Sequence, residues 1–320
     1  MKNDEIIEWL LAGDVSIQYQ VNRDLLNSER NDLKNRISTE GWGAQLLACR
    51  NSKGEWGMDF YQPKWTSTHY TLLELKNLAI SSQNQTIKSI VQNVFKTRKA
   101  PDGGITPTKT IAQSDMCING MVLNYASYFG IDEDNLKSIV DIILAQQMSD
   151  GGFNCQLTRI GAVHSSLHTT ISVIEGITEY SNKNYTYRLS ELKKAEEESQ
   201  EFILEHKLFQ SHRTGQTISD GFLKLSYPCR WRYDILRALD YFQLAKVPFD
   251  QRMLDAIDVL LKKRKTEGTW PLQAKHVGKT HFEMEITGKS SRWNTLRAMR
   301  VLKHFVPKLS DLSSAKKRFT

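Results

Sequence analysis

Six segments of this chain repeat one frame, and that repeat restricts the fold more than any other feature. "RYDILRALDYF" (232–242) and "RWNTLRAMRVL" (292–302) share apolar residues at helical spacing around Leu-Arg-Ala. "QYQVNRDLLN" (18–27) places Arg23 where these have Arg237 and Arg297. "THYTLLELKNL" (68–78), "MCINGMVLNYA" (116–126) and "LHTTISVIEGI" (167–177) fit the same frame. Alignment brings Tyr19, His69, Cys117, His168, Tyr233 and Trp293 into one column, at intervals of 50, 48, 51, 65 and 60 residues. Periods of that size mark architectures whose units bury their faces against one another.

A second helix set is expected around 3–11, 38–50, 84–98, 134–147, 190–206 and 250–265. Several of these end in glycine turns, "NSKGEWG", "APDGGIT", "SDGGFNC" and "TEGTWPL", where glycine permits the tight turn and the next apolar residue can pack as a staple. The first set carries few charges, as helices buried on both sides should, and the second is richer in Lys, Glu, Asp and Gln. Links leaving the second set are long and those leaving the first are short. The long loops therefore gather where the first-set helices begin, and loops on a rigid scaffold carry function. Six inner helices ringed by six outer ones make an all-α, (α/α)6 toroid. It is expected as a single domain over 1–306 with a basic tail at 307–320. An open solenoid would need capping repeats, which the chain does not display.

Composition removes several classes. The net charge of +7 lies partly in "AKKRFT". With no zinc-finger spacing, RNP-like segment or basic stripe with interleaved aromatics, no nucleic-acid partner is expected. No run of about 18 apolar residues occurs, so no transmembrane segment is expected. The N-terminus "MKNDEIIEWLLAGD" is acidic where a secretory signal is basic, which points to the cytoplasm. Cys49, Cys117, Cys155 and Cys229 are widely spaced and form no CxxC pair, so a disulfide framework is not expected.

The turns "DGGF" and "EGTW" followed by an inner helix resemble the repeats of the terpenoid cyclase and protein prenyltransferase superfamily. "CINGMVLNYASYFG", "SSLHTTISVIEGITEY", "RWRYDILRALDYF" and "SSRWNTLRAMRVLKHF" are similar to bacterial single-domain toroids described as squalene-cyclase-like or prenyltransferase-like. The resemblance runs from about residue 5 to 306. It implies a toroid, and an isoprenoid as first substrate class. The DxDD cluster of class II cyclases and the DDxxD motif of class I synthases are both absent; "IDEDN" (131–135) is the nearest sequence and falls in a short link. Protein prenyltransferases hold zinc with Asp-x-Cys at an inner-helix start and a neighbouring histidine. Asp115-Met116-Cys117 matches the first part, and His168 stands one repeat later. It is in register with Cys117, however, whereas the family histidine is in register with its aspartate. The separate α-subunit of those enzymes has no counterpart here.

The residues themselves leave several chemistries open. Asp115, Cys117, His168 and His69 are competent zinc ligands on three consecutive inner helices, and a helix start favours a thiolate. Cys117 and His168 can instead act as nucleophile and base, or all can be partly buried structural groups. His164 and Cys155 read as a loop histidine and a small buried thiol. Arg230, Arg232, Asp234 and Arg237, then Lys289, Arg292, Asn294 and Arg297, form a second cluster; Arg292 at an inner-helix start suits an anion. Arg237 and Arg297 can equally pair with carboxylates such as Asp240. Tyr19, Trp65, Trp231, Tyr233 and Trp293 can wall a cavity for a carbocation or a sugar. Glu283 and Glu285 share one side of the extended loop 275–289 and offer paired carboxylates. Three functions follow: a prenyltransferase- or cyclase-like enzyme with zinc; a metal-free carbohydrate lyase or hydrolase using Glu283, Glu285 or Asp234; and a non-catalytic binding protein.

Overall fold

The computed structural model describes residues 3–108 and 113–316 and is mostly helical. In chain order the helices are α1 (Asn3–Leu11), α2 (Val15–Asp24), α3 (Asn31–Arg36), α4 (Gly41–Ala48), α5 (Thr68–Asn77), α6 (Gln85–Thr97), α7 (Met116–Tyr128) and α8 (Glu133–Ala145). There follow α9 (Leu157–Ile160), α10 (Leu167–Asn182), α11 (Leu189–Glu205), α12 (Ile235–Leu244), α13 (Leu254–Lys262) and α14 (Arg292–Lys316). A two-stranded antiparallel pairing of β1 (Trp270–Pro271) with β2 (Ser290–Ser291) is the one sheet among the described residues. The basic tail expected at 307–320 is helical as far as Lys316, and residues 317–320 lie outside the described residues.

The two helix sets differ as their sequences require. On α6, Ile87, Ile90, Val91, Val94 and Phe95 form one buried stripe with polar residues opposite, the signature of a helix covered on one side. On α7, Met116 and every residue from Ile118 to Ser127 are buried. The six helices of the repeat touch in sequence: α5 packs on α7, α7 on α10, α10 on α12, α12 on α14, and α14 on α2. Gln20 of α2 completes the series by donating to the Asn77 carbonyl at the end of α5 (2.9 Å).

The closest of these contacts is α7 against α10, and glycine makes it. A Cβ on Gly120 would lie 2.6 Å from the Ser172 carbonyl oxygen, and one on Gly176 would lie 2.4 Å from that of Gly120. These helices meet backbone to backbone.

Each glycine turn is latched to the inner helix that follows it. The residue after the turn is buried (Trp56, Ile105, Phe153, Trp270). Its backbone N–H donates to a side chain on the next helix: Thr68 (3.1 Å), Asn119 (2.7 Å), Thr170 (3.0 Å) and Thr295 (2.9 Å). The two tryptophans add an indole bond back to the preceding outer helix, at Leu46 and Leu260 (2.6 and 2.7 Å). Outer helix, turn and inner helix are thereby fixed as one unit, which is what the sequence repeats.

Candidate functional site

One cavity is lined from all six repeat helices, with Arg23, Lys76, Asn124, Glu175, Asp240 and Arg300 contributing one each. Its volume is about 1300 Å³ including its open mouth. It reaches the last residues of several of these helices, Asp24, Asn77, Tyr128, Asn182 and Leu244. A second cleft, about 840 Å³ including its mouth, lies among the loops that precede them: the segment around Trp65, residues 227–230, and the loop 275–285. Tyr227 and Arg230 line both. The interior is therefore an upper cleft and a lower compartment with these two side chains at the boundary.

The upper cleft has aromatic walls and a strap. Trp65, Tyr70, Tyr227 and Phe282 form the walls. The strap is the loop 275–285, held by Trp65 Nε1 donating to the Val277 carbonyl (2.6 Å) and by Thr71 Oγ1 bonding His281 Nε2 (3.0 Å). Glu74, two turns into α5, is buried and accepts a hydrogen bond from the Tyr227 hydroxyl (2.5 Å). Burial pushes its carboxyl up to about 7, offset in part by that bond and by the charges of Arg230 and Arg297. Arg230, in the left-handed backbone region at φ 56°, stacks its guanidinium 4.3 Å from the Trp65 ring centre. It has no hydrogen-bonding or ion-pairing partner among the described residues, and burial lowers its pKa to about 10. A half-neutral acid, a phenol on that acid and an unpaired cation converge on one aromatic cleft. Perturbed groups gathered in a cleft are what acid–base chemistry requires.

The residues expected to hold zinc do not come together as a ligand set. Among the described residues no group of three or more His, Cys, Asp or Glu is positioned to hold a metal ion. His69 is wholly buried among the rings of Phe60, Tyr61, Tyr70 and Tyr125. Neither ring nitrogen has a hydrogen-bond partner among the described residues, and burial lowers its pKa to about 3. His168 Nδ1 accepts from the Tyr233 backbone N–H (2.8 Å), tying α10 to the start of α12. Burial, with Arg237 and Arg232, lowers its pKa to about 4. Asp115 stands at the N-cap of α7. The Cys117 thiol is pushed well up, not down: its hydrogen bond with the Cys155 thiol, burial and the negative charge of Asp115 outweigh the helix start.

The remaining expected site residues are placed as follows. Asp234 caps α12, its Oδ1 accepting from Arg237 N (2.8 Å) and its Oδ2 from the Ser226 hydroxyl (2.9 Å). Tyr19 and Tyr233 are buried with hydroxyls on Glu29 (2.9 Å) and the Leu208 carbonyl (2.6 Å). Trp231 packs edge-on against His168. Trp293 is stacked between Trp42 and Tyr227 and lines the lower compartment. The helix start at Arg292 does hold an anion, supplied by the chain itself: Glu285 Oε1 accepts from the backbone N–H of Arg292 (2.7 Å) and Trp293 (3.2 Å). Glu283 instead pairs with Lys275 in the open, so the two glutamates are engaged by different partners. Arg237 is bound by Glu175 (2.7 Å) and Arg297 by Asp240 (3.1 Å). Glu74 and Tyr227 carried no motif. Glu74 is the one acid of α5, a signal that the other acids of the repeat helices, Asp24, Glu175, Glu179 and Asp240, obscure.

Scanned against models of known protein families the chain matches none, and a search of curated proteins finds no significant match.

Proposed function

We propose that the chain is an (α/α)6 toroid enzyme that carries out β-elimination on a small hydroxylated or glycosylated carboxylic acid of the sugar-acid type. The observation that supports this most is the convergence of Glu74, Tyr227 and Arg230 in the upper cleft. The toroid is supported by the cyclic contacts of the repeat helices and by the cavity they all line.

Arg230, already desolvated and without a protein partner, binds the substrate carboxylate and offsets the negative charge that builds as the adjacent C–H is broken. Glu74, as carboxylate, takes that proton. The electron pair forms the new C=C bond, the C–O bond on the next carbon breaks, and the leaving oxygen takes the proton of the Tyr227 hydroxyl. Tyr227 recovers its proton from Glu74 across the hydrogen bond that already joins them.

The test is a panel of uronate-containing oligosaccharides and β-hydroxy acids, followed by ultraviolet absorbance of the conjugated product. Glu74→Gln and Tyr227→Phe should each lower kcat by about 10²–10⁴-fold, and Arg230→Gln should chiefly raise KM. Turnover that survives Glu74→Gln would refute the assignment. A second reading, an isoprenoid diphosphate, is favoured by the aromatic walls, with Arg230 and Lys275 on the diphosphate. Farnesyl diphosphate in the same panel distinguishes it by release of diphosphate. A carbocation is less well served, because Arg230 already occupies the Trp65 face.

A further inference from the structure

The lower compartment carries a charge imbalance that its own residues do not resolve. Its walls hold Arg23, Lys76, Arg230, Arg237, Arg297 and Arg300 against Asp24, Glu175, Glu179 and Asp240. The carboxylates are already engaged. Asp24 is shared by Arg23 and Arg300 (2.5 and 3.0 Å), and Asp240 by Arg297 and Arg300 (3.1 and 2.5 Å). Glu175 holds Arg237 at 2.7 Å and Glu179 faces Lys76 at 3.4 Å. Arg230 has no such partner among the described residues. Two further wall residues, Asn124 (3% exposed) and Trp293 (2%), keep an unpartnered polar atom, Oδ1 and Nε1. Excess positive charge on the walls of a cleft attracts an anion, and low-dielectric walls focus its field.

We propose that the lower compartment binds a small molecule bearing an oxyanion, a carboxylate or a phosphate, against Arg230 and beside Asn124 and Trp293. A guanidinium fork without a protein partner matches either oxyanion. The carboxamide of Asn124 suits a hydroxyl on the same molecule. This site shares Arg230 with the proposed reaction but does not require Glu74 to take a proton.

Titration calorimetry at fixed ionic strength, with inorganic phosphate and with malonate as probes, tests the site on the full chain. At least one probe should bind saturably, and the one that does identifies the oxyanion. Arg230→Gln should weaken binding at least tenfold. Asn124→Asp, which adds a carboxylate to the lower compartment alone, should do the same. Lys275→Gln, which lines the upper cleft and not the lower compartment, should stay within twofold. Intact anion binding in a protein that eliminates nothing would count against the proposed reaction only. Absence of saturable binding by both probes overturns this site. So does binding that Asn124→Asp spares and Lys275→Gln weakens. Should Arg230→Gln fail to fold, the Asn124 and Lys275 pair decides alone.

Discussion

At the scale of single residues, two buried titratable groups impose opposite pH dependences. Glu74 has a folded pKa raised from 4.5 to about 7, so the folded state holds a proton that the unfolded state releases. Its contribution is fully present below pH 4.5 and is lost as pH rises through 7, which amounts to about 3 kcal/mol. Glu74→Gln should therefore narrow the fall in stability between these values in urea melts. The same titration should give kcat/KM an ascending limb with a midpoint near pH 7, as expected of a base. His69 runs the other way. Its folded pKa of about 3 against 6.5 means stability is lost as pH falls from 6.5 towards 3. Both ring nitrogens lack partners among the described residues, so His69→Phe should stabilise by about 1–3 kcal/mol and flatten the acid limb. A destabilised His69→Phe would reveal an interaction that the ring makes. Neither behaviour is legible in the sequence. Histidine in a repeat column suggests a ligand until its walls are known to be Phe60, Tyr61, Tyr70 and Tyr125, and those come from two repeats.

At the scale of elements, the helices and turns are largely legible and the latches between them are not. Periodicity reports which face of α6 is buried because solvent enforces it. The bond from Phe153 N–H to Thr170 joins positions whose spacing only the folded turn explains. Thr170→Val and Thr295→Val keep the shape and remove the acceptor, leaving a buried backbone donor unpaired. Each should cost about 1–3 kcal/mol in chemical denaturation, and a change under a few tenths would show that the latch is dispensable. Gly176→Ala sets two effects against each other. Alanine favours the helix by about 1 kcal/mol, but its Cβ would lie 2.4 Å from the Gly120 carbonyl oxygen, and neither backbone can give way. The clash should win, with a net loss of about 1–3 kcal/mol. The column that aligns the helices also indicates the interior face. Arg23, Arg237 and Arg297, each four residues after it, all line the lower compartment.

At the scale of the whole molecule, charged groups join the first and last repeats. Arg300 of α14 bridges Asp240 on α12 and Asp24 on α2, and Lys303 Nζ donates to the carbonyls of Asp24 and Leu25 (2.9 and 3.1 Å). Asp240→Asn should strand Arg297, leave Arg300 with Asp24 alone, and cost about 3–5 kcal/mol, read as a lowered melting midpoint. An unchanged midpoint would mean that water reaches the network and screens it. Contacts that join residues so far apart in the chain also govern when it can fold. Among the described helices α14 comes last in the chain, so until it leaves the ribosome α2 and α12 lack its contacts and Asp240 lacks Arg297 and Arg300. Synthesis thus passes through a stage in which almost every helix exists and no stable molecule does, a stage at which a holding chaperone has the most to grip.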